Sequence, residues 1–159
     1  GLAWQGSLIA GLATALIYFK RKKWPMGKMF DAIAPYAALG QSIGRIGCFF
    51  TGCCYGREVP WGIYFPVHNA HLHPTQLYDS FGLLIIFFVL KRMQKGNQAG
   101  GSIFVLYLML ASAQRFVIEF FRDDHFVVWS GLSIFQWISI VVFLSGAYVY
   151  AHLKNRSRK

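Results

Sequence analysis

Basic clusters follow every second apolar stretch of this chain, and that alternation constrains its fold more than any other feature. The apolar stretches cover about residues 2–19, 30–50, 76–90, 101–121 and 133–152. A hydrocarbon layer about 30 Å thick takes roughly 20 helical residues. The pattern therefore predicts about five transmembrane helices, the first and third short enough to need tilt or trimmed ends. Twelve of the sixteen Lys and Arg lie in three groups: Lys20, Arg21, Lys22, Lys23 and Lys28; Lys91, Arg92 and Lys95; Lys154, Arg156, Arg158 and Lys159. Placing all three on the cytoplasmic side satisfies the positive-inside rule and suits the anionic inner leaflet. The connections 51–75 and 122–132 then face outward. The first of them, rich in Gly, Pro, Trp and His, reads as ordered irregular structure.

Only 14% of the residues are charged while 55% are hydrophobic, too few charges for the skin of a soluble domain. The expected fold class is all-α, a polytopic membrane protein, with residues 1–159 forming a single integral membrane domain. The net charge of +10 does not indicate nucleic acid, because the basic residues gather at segment ends. A transporter is disfavoured by the lack of a carboxylate ladder or an inverted repeat. No signal-peptide pattern opens the chain, and Gly1 reads as the start of a fragment or a processed chain with further segments upstream.

Arg45, Arg57, Arg115 and Arg122 are the basic residues left for the outer half. A charge at such depth is costly and marks a functional site. Gly44 and Gly47 flank Arg45 and let a backbone or a lipid headgroup approach it. Arg115, Glu119 and Arg122 follow helical spacing, so one face of the fourth stretch should carry all three. Glu119 pairs with either arginine, and Arg45 leaves the set net positive, which suits a phosphate diester. A self-satisfied Arg–Glu–Arg network is the bland reading. Asp79 is either a partner for an arginine or a hydrated interfacial residue. His73 and Thr75 are candidate caps for the third helix, with Pro74 in its first turn. Gln5, Gln76 and Tyr78 are neutral polar groups at the outer boundary. Trp4, Tyr55, Trp61, Tyr64, Trp129 and Trp137 make an outer aromatic belt. Cys48, Cys53 and Cys54 have the spacing C-x4-C-C, which is not a zinc spacing, so no metal is assigned. A disulfide, a metal site helped by His68, His71 and His73, and simple buried thiols stay open.

Five motifs in series span almost the whole chain: Gly44-Arg45-Ile46-Gly47-x-Phe49 through Tyr55-Gly56-Arg57; Pro60-Trp61-Gly62-Ile63-x-Phe65-Pro66; His73-Pro74-x-Gln76-Leu77-Tyr78; Arg115-Phe116-x-x-Glu119-Phe120-Phe121-Arg122; and Leu132-Ser133-x-x-Gln136-Trp137. Together they resemble the phosphatidylglycerol–prolipoprotein diacylglyceryl transferase family. The resemblance implies a seven-helix protein of the bacterial cytoplasmic membrane, so about two helices would lie upstream, with the site facing outward. It implies phosphatidylglycerol and the lipobox cysteine of a prolipoprotein signal peptide as substrates, with no cofactor. The thiol would attack the glycerol carbon and glycerol phosphate would leave. Arg45, Arg115 and Glu119 would be catalytic. Gln5, Gly44, Gly47, Cys48, Cys53, Gly56, His73, Gln76, Tyr78 and Arg122 would bind substrate.

The sequence also departs from that pattern. Gln5-Gly6-Ser7 stands where the family usually has His-Gly-Gly, and glutamine is no general base; His73 or Glu119 is left to substitute. Cys48 and Cys53 stand where the family usually has Asn and an acidic residue. These changes keep two alternatives in view: a divergent transferase with another acceptor, and a non-catalytic membrane redox or metal-binding protein.

Overall fold

The structure, a computed structural model, describes residues 13–14, 17–96, 99–122, 127–129 and 131–157. The first apolar stretch, with Trp4 and Gln5, lies almost wholly outside them. Each of the other four stretches forms one helix: α1 Met26–Thr51, α2 Thr75–Met93, α3 Ser102–Glu119 and α4 Ile134–Ser157. α1 packs on α2 and α3, and α3 packs on α4. Two of the four, over Ser102–Glu119 and Ile134–Asn155, are long and apolar enough to cross a membrane on length and composition alone. α1 and α2 carry more charge, Lys28, Asp31 and Arg45 in one and Asp79, Lys91 and Arg92 in the other. The count of five spans is therefore not reached among the described residues.

Burial runs opposite to that of a water-soluble protein. Ile138, Val141, Leu144 and Tyr148 on α4 and Phe81 and Phe88 on α2 are exposed, whereas Ser42, Thr75, Gln76, Asp79, Ser80, Glu119 and Gln136 are buried. One apolar core joins Ala34 and Ala38 of α1, Ile86 and Leu90 of α2, and Ile103 and Tyr107 of α3. Further along the seam between α1 and α2 a reciprocal clasp adds to the apolar contact: Ser42 Oγ donates to the Ser80 carbonyl at 2.8 Å, and Ser80 Oγ donates to the Ser42 carbonyl at 2.9 Å. Small polar residues serve as interhelical glue where the surroundings are apolar.

The strictly all-α expectation is corrected by two small antiparallel sheets: β1 Glu58–Phe65 with β2 Ala70–Leu72, and β3 Val127–Trp129 with β4 Leu132–Ser133. β1 is rich in aromatic and β-branched residues. The turn that follows holds Asn69 at φ +51°, a left-handed position asparagine tolerates. Phe65 pairs with Ala70 and Tyr64 with His71, while Tyr64 OH closes the turn by donating to Asn69 Oδ1 at 2.6 Å. A bridge between Gly56 and Arg122 links the segment after α1 to the segment after α3.

At the other end, Pro35 lies inside α1 and has no N–H for the Asp31 carbonyl. Gln94 Nε2 supplies the missing bond at 2.8 Å. The Asp31 carboxylate accepts the Gly101 N–H at 2.7 Å and the Phe104 N–H at 2.8 Å. It thus caps α3 from a neighbouring helix, a use of this residue that the sequence did not indicate. Asp31→Ala leaves two N–H groups without acceptors, at a cost of about 1–3 kcal/mol. The expected result is a lower Tm of the purified protein in detergent, with Asp31→Asn retaining part of the loss.

Candidate active site

Arg45 reaches from α1 to Asp79 on α2, with Nε 2.7 Å from Oδ2. This settles the role of Asp79 as an arginine partner. Gln114, one residue before Arg115 on α3, donates from Nε2 to the Asp79 carbonyl at 2.7 Å and to its Oδ1 at 2.6 Å. The carboxylate is thereby held by two helices. Gln114 was missed by sequence reasoning, although a lone amide inside an apolar stretch is a signal of the same kind as a buried charge.

Arg115 pairs with Glu119 one turn along α3, Nη2 to Oε2 at 3.0 Å. That contact lies off the hydrogen-bond line, so it acts as a charge pairing. Glu119 is 2% exposed, and its Oε1 accepts the Ser133 hydroxyl at 3.0 Å. Ser133 is held in turn by Gln136, whose Oε1 accepts the Ser133 N–H at 2.9 Å. The Arg115 guanidinium also lies over the Phe135 ring, 5.3 Å from its centroid. Its Nη1 is buried without a hydrogen-bond partner among the described residues.

The site thus holds two ion pairs. Each of Arg45 and Arg115 has its own carboxylate, because an uncompensated charge in a poorly hydrated site costs several kcal/mol. α3 ends at Glu119, and Arg122 enters the bridge to Gly56. A cavity of about 500 Å³ is lined by Gln41, Gly44, Arg45, Cys48, Asp79, Gln114 and Arg115, with Leu83 and Ala111 completing its wall. Gly44 and Gly47 both face open space: a Cβ added at either would have no described heavy atom within 4 Å beyond its own stretch of helix.

Of the other predicted binding residues, Gln5 lies outside the described residues, and Gly56, His73, Gln76 and Tyr78 gather at the start of α2 and the loop after α1. Helix α2 starts after Pro74 with no side-chain cap, so neither His73 nor Thr75 caps it. Instead Thr75 Oγ1 donates to the Cys54 carbonyl at 2.8 Å and Gln76 Nε2 to the Cys53 carbonyl at 2.7 Å. His73 packs edge-on against Trp61 at 4.5 Å between centroids, with Nδ1 3.4 Å from the Tyr78 hydroxyl. Gly56 donates its N–H to the His73 carbonyl at 2.9 Å, and a Cβ there would lie 2.7 Å from both His73 Cβ and Thr75 Cγ2. Cys48, Cys53 and Cys54 are free thiols whose sulfur atoms all lie within 4.8 Å of one another. Hydrogen bonding by Thr51 Oγ1, 3.2 Å away, draws the Cys53 thiol below its ordinary range against the opposing effect of burial.

Ion pairs with buried carboxylates around a cavity, inside a bundle whose outer face is apolar, define a helical membrane protein with a polar site between its helices. Residues 1–152 match the profile of the prolipoprotein diacylglyceryl transferase family, and the chain belongs to that family. It is 39% identical over 94% of its length to the phosphatidylglycerol–prolipoprotein diacylglyceryl transferase of Clostridium tetani, covering 63% of that protein. It is 34% identical to the enzyme of that name from Campylobacter lari, with 98% of this chain and 59% of the relative covered. A relative from Clostridium perfringens, the second transferase of that name, is 32% identical over 100% of the chain and 65% of its own length. The chain thus spans about three fifths of the length of the curated relatives it matches.

Gly56 is the most tightly enclosed of the described glycines. Gly56→Ala should cost about 1–3 kcal/mol through overpacking. The expected readout is faster hydrogen exchange at the Gly56, Arg57 and His73 amides, with the amides of α3 unchanged.

Proposed function

We propose that this chain carries the phosphate-handling site of an enzyme that moves a diacylglyceryl group from phosphatidylglycerol to the lipobox cysteine thiol of a prolipoprotein. The site faces outward across the bacterial cytoplasmic membrane. One observation carries the proposal: Arg45 of α1 and Arg115 of α3, far apart in sequence, line the same cavity. Its volume of about 500 Å³ falls in the usual range for small-ligand sites, roughly 300–1,000 Å³. The names of the similar proteins supply the donor and the acceptor.

In this reading the lipid phosphate lies between the two guanidiniums. Arg45 already spends Nε on Asp79, and Arg115 keeps a buried Nη1 without a partner among the described residues, so donors remain for phosphate oxygens. Asp79 and Glu119 hold the arginines in place before substrate arrives, and no reorganisation is then needed as charge builds on the leaving group. The thiolate sulfur bonds to the glycerol carbon, the C–O bond to phosphate breaks, and glycerol phosphate departs with the electron pair. Gly44 and Gly47 leave room for the headgroup. The apolar outer faces of α2 and α4 leave the acyl chains in the bilayer.

The test uses the intact protein in vesicles containing labelled phosphatidylglycerol, with a lipobox peptide as acceptor. Arg45→Ala and Arg115→Ala should each lower transfer by about 10²–10³-fold, the usual loss on removing one transition-state donor. Label transfer by Arg45→Ala at the wild-type rate would count against the proposal.

A further inference from the structure

We propose that Cys48, Cys53 and Cys54 hold one zinc ion whose open fourth position takes the acceptor thiol and removes its proton. The inference rests on the transferase reading and adds to it the group that activates the nucleophile.

The three sulfur atoms lie within 4.8 Å of one another, although their spacing along the chain gives no such sign. Local backbone geometry brings them together. Gly52 ends α1 in the left-handed region at φ +68°, and Cys54 adopts φ +60° two residues later. A non-glycine residue is strained there, and such strain persists where neighbouring contacts fix it. Those contacts are the bonds from Gln76 to the Cys53 carbonyl and from Thr75 to the Cys54 carbonyl. Gln76 and Thr75 are each 1% exposed. Oriented support of this kind is what metal sites need behind their ligands.

Zinc–thiolate bonds of about 2.3 Å place three sulfurs around one ion roughly 4 Å apart. Closing the cluster onto an ion therefore takes less than about 1 Å of movement. Thiolates select zinc or monovalent copper over hard cations. No fourth His, Cys, Asp or Glu joins the group among the described residues. Three protein ligands and an open position mark catalytic zinc, whereas structural zinc is closed.

Position favours the same role. Cys48 belongs to the wall shared with Arg45 and Arg115, so the open coordination site borders the phosphate cavity. Among the described residues that cavity offers a single carboxylate, Asp79, and it is occupied by Arg45 and Gln114. A thiol that coordinates zinc is deprotonated outright. The acceptor RS–H would bind the ion and release its proton to solvent. The RS⁻ pair would then form the C–S bond as the C–O bond breaks and the electrons leave on glycerol phosphate. No oxidant or reductant enters the balance.

The test uses the intact protein purified in detergent without chelator, with Zn²⁺ and Co²⁺ as probes. The expected result is about one zinc per chain by elemental analysis, lost in the Cys48→Ser/Cys53→Ser/Cys54→Ser variant. The cobalt-substituted protein should show a near-ultraviolet thiolate charge-transfer band that changes on adding a lipobox peptide but not its Cys→Ser analogue. Chelation should lower lipid transfer by roughly 10²-fold or more, in the range of lost acid–base catalysis, with zinc restoring it. Three freely titrating thiols in the presence of zinc, a Cys48–Cys53 disulfide in the purified protein, or full transfer by metal-free enzyme would each overturn the inference. If zinc binds and the cobalt band responds to peptide while no lipid is transferred, the metal site stands and the transferase reading falls.

Discussion

A guanidinium cannot sit alone where water is scarce, and much of the polar interior of this bundle is arranged around that requirement. Arg45 and Arg115 meet it differently. Arg45 takes its carboxylate from another helix, so the Arg45–Asp79 contact also fixes how α1 lies against α2. Arg115 takes Glu119 from its own helix, and Ser133 ties that carboxylate to the start of α4. Gln114 and Gln136 complete the two pairs by bonding Asp79 and Ser133. A buried pair of this sort adds little net stability, since desolvation offsets the attraction. Its worth lies in position, because both arginines are held on one cavity.

The same logic governs the opposite end. A proline inside α1 strips one carbonyl of its donor, and the side chain of Gln94 replaces it. The Asp31 carboxylate finishes the first turn of α3. In a bilayer the backbone has no water to turn to, so such repairs come from neighbouring helices. The polar inventory of the interior is thus largely used up in fixed bonds. The exposed phenylalanines, isoleucines and valines of α2 and α4 are the surface left over for lipid.

Much of this layout was legible in the order of residues. Four helices fall where the apolar stretches and the basic clusters put them, since length and charge at membrane boundaries are strong constraints. Arg45 and Arg115 were conspicuous as charges in apolar surroundings. Their partners were less so. Asp79 lies one turn into α2, a depth at which water and an arginine are equally plausible neighbours. Glu119 had two arginines in reach by helical spacing, and it pairs with Arg115 on its own helix. The small sheets escaped because one strand of each pair is only two or three residues long, too short for an alternating pattern. The gathering of the three thiols depends on two positive φ angles, and only Gly52 announces one of them. Thr75 and His73, read as caps, serve instead as struts beneath the loop.

The reciprocal serine clasp has a mechanical consequence. Each hydroxyl holds the other helix's backbone, so α1 and α2 cannot shear past each other by a turn, about 5.4 Å, without severing both bonds. They form a stiff plate, and Arg45 and Asp79, borne one on each helix, keep their separation.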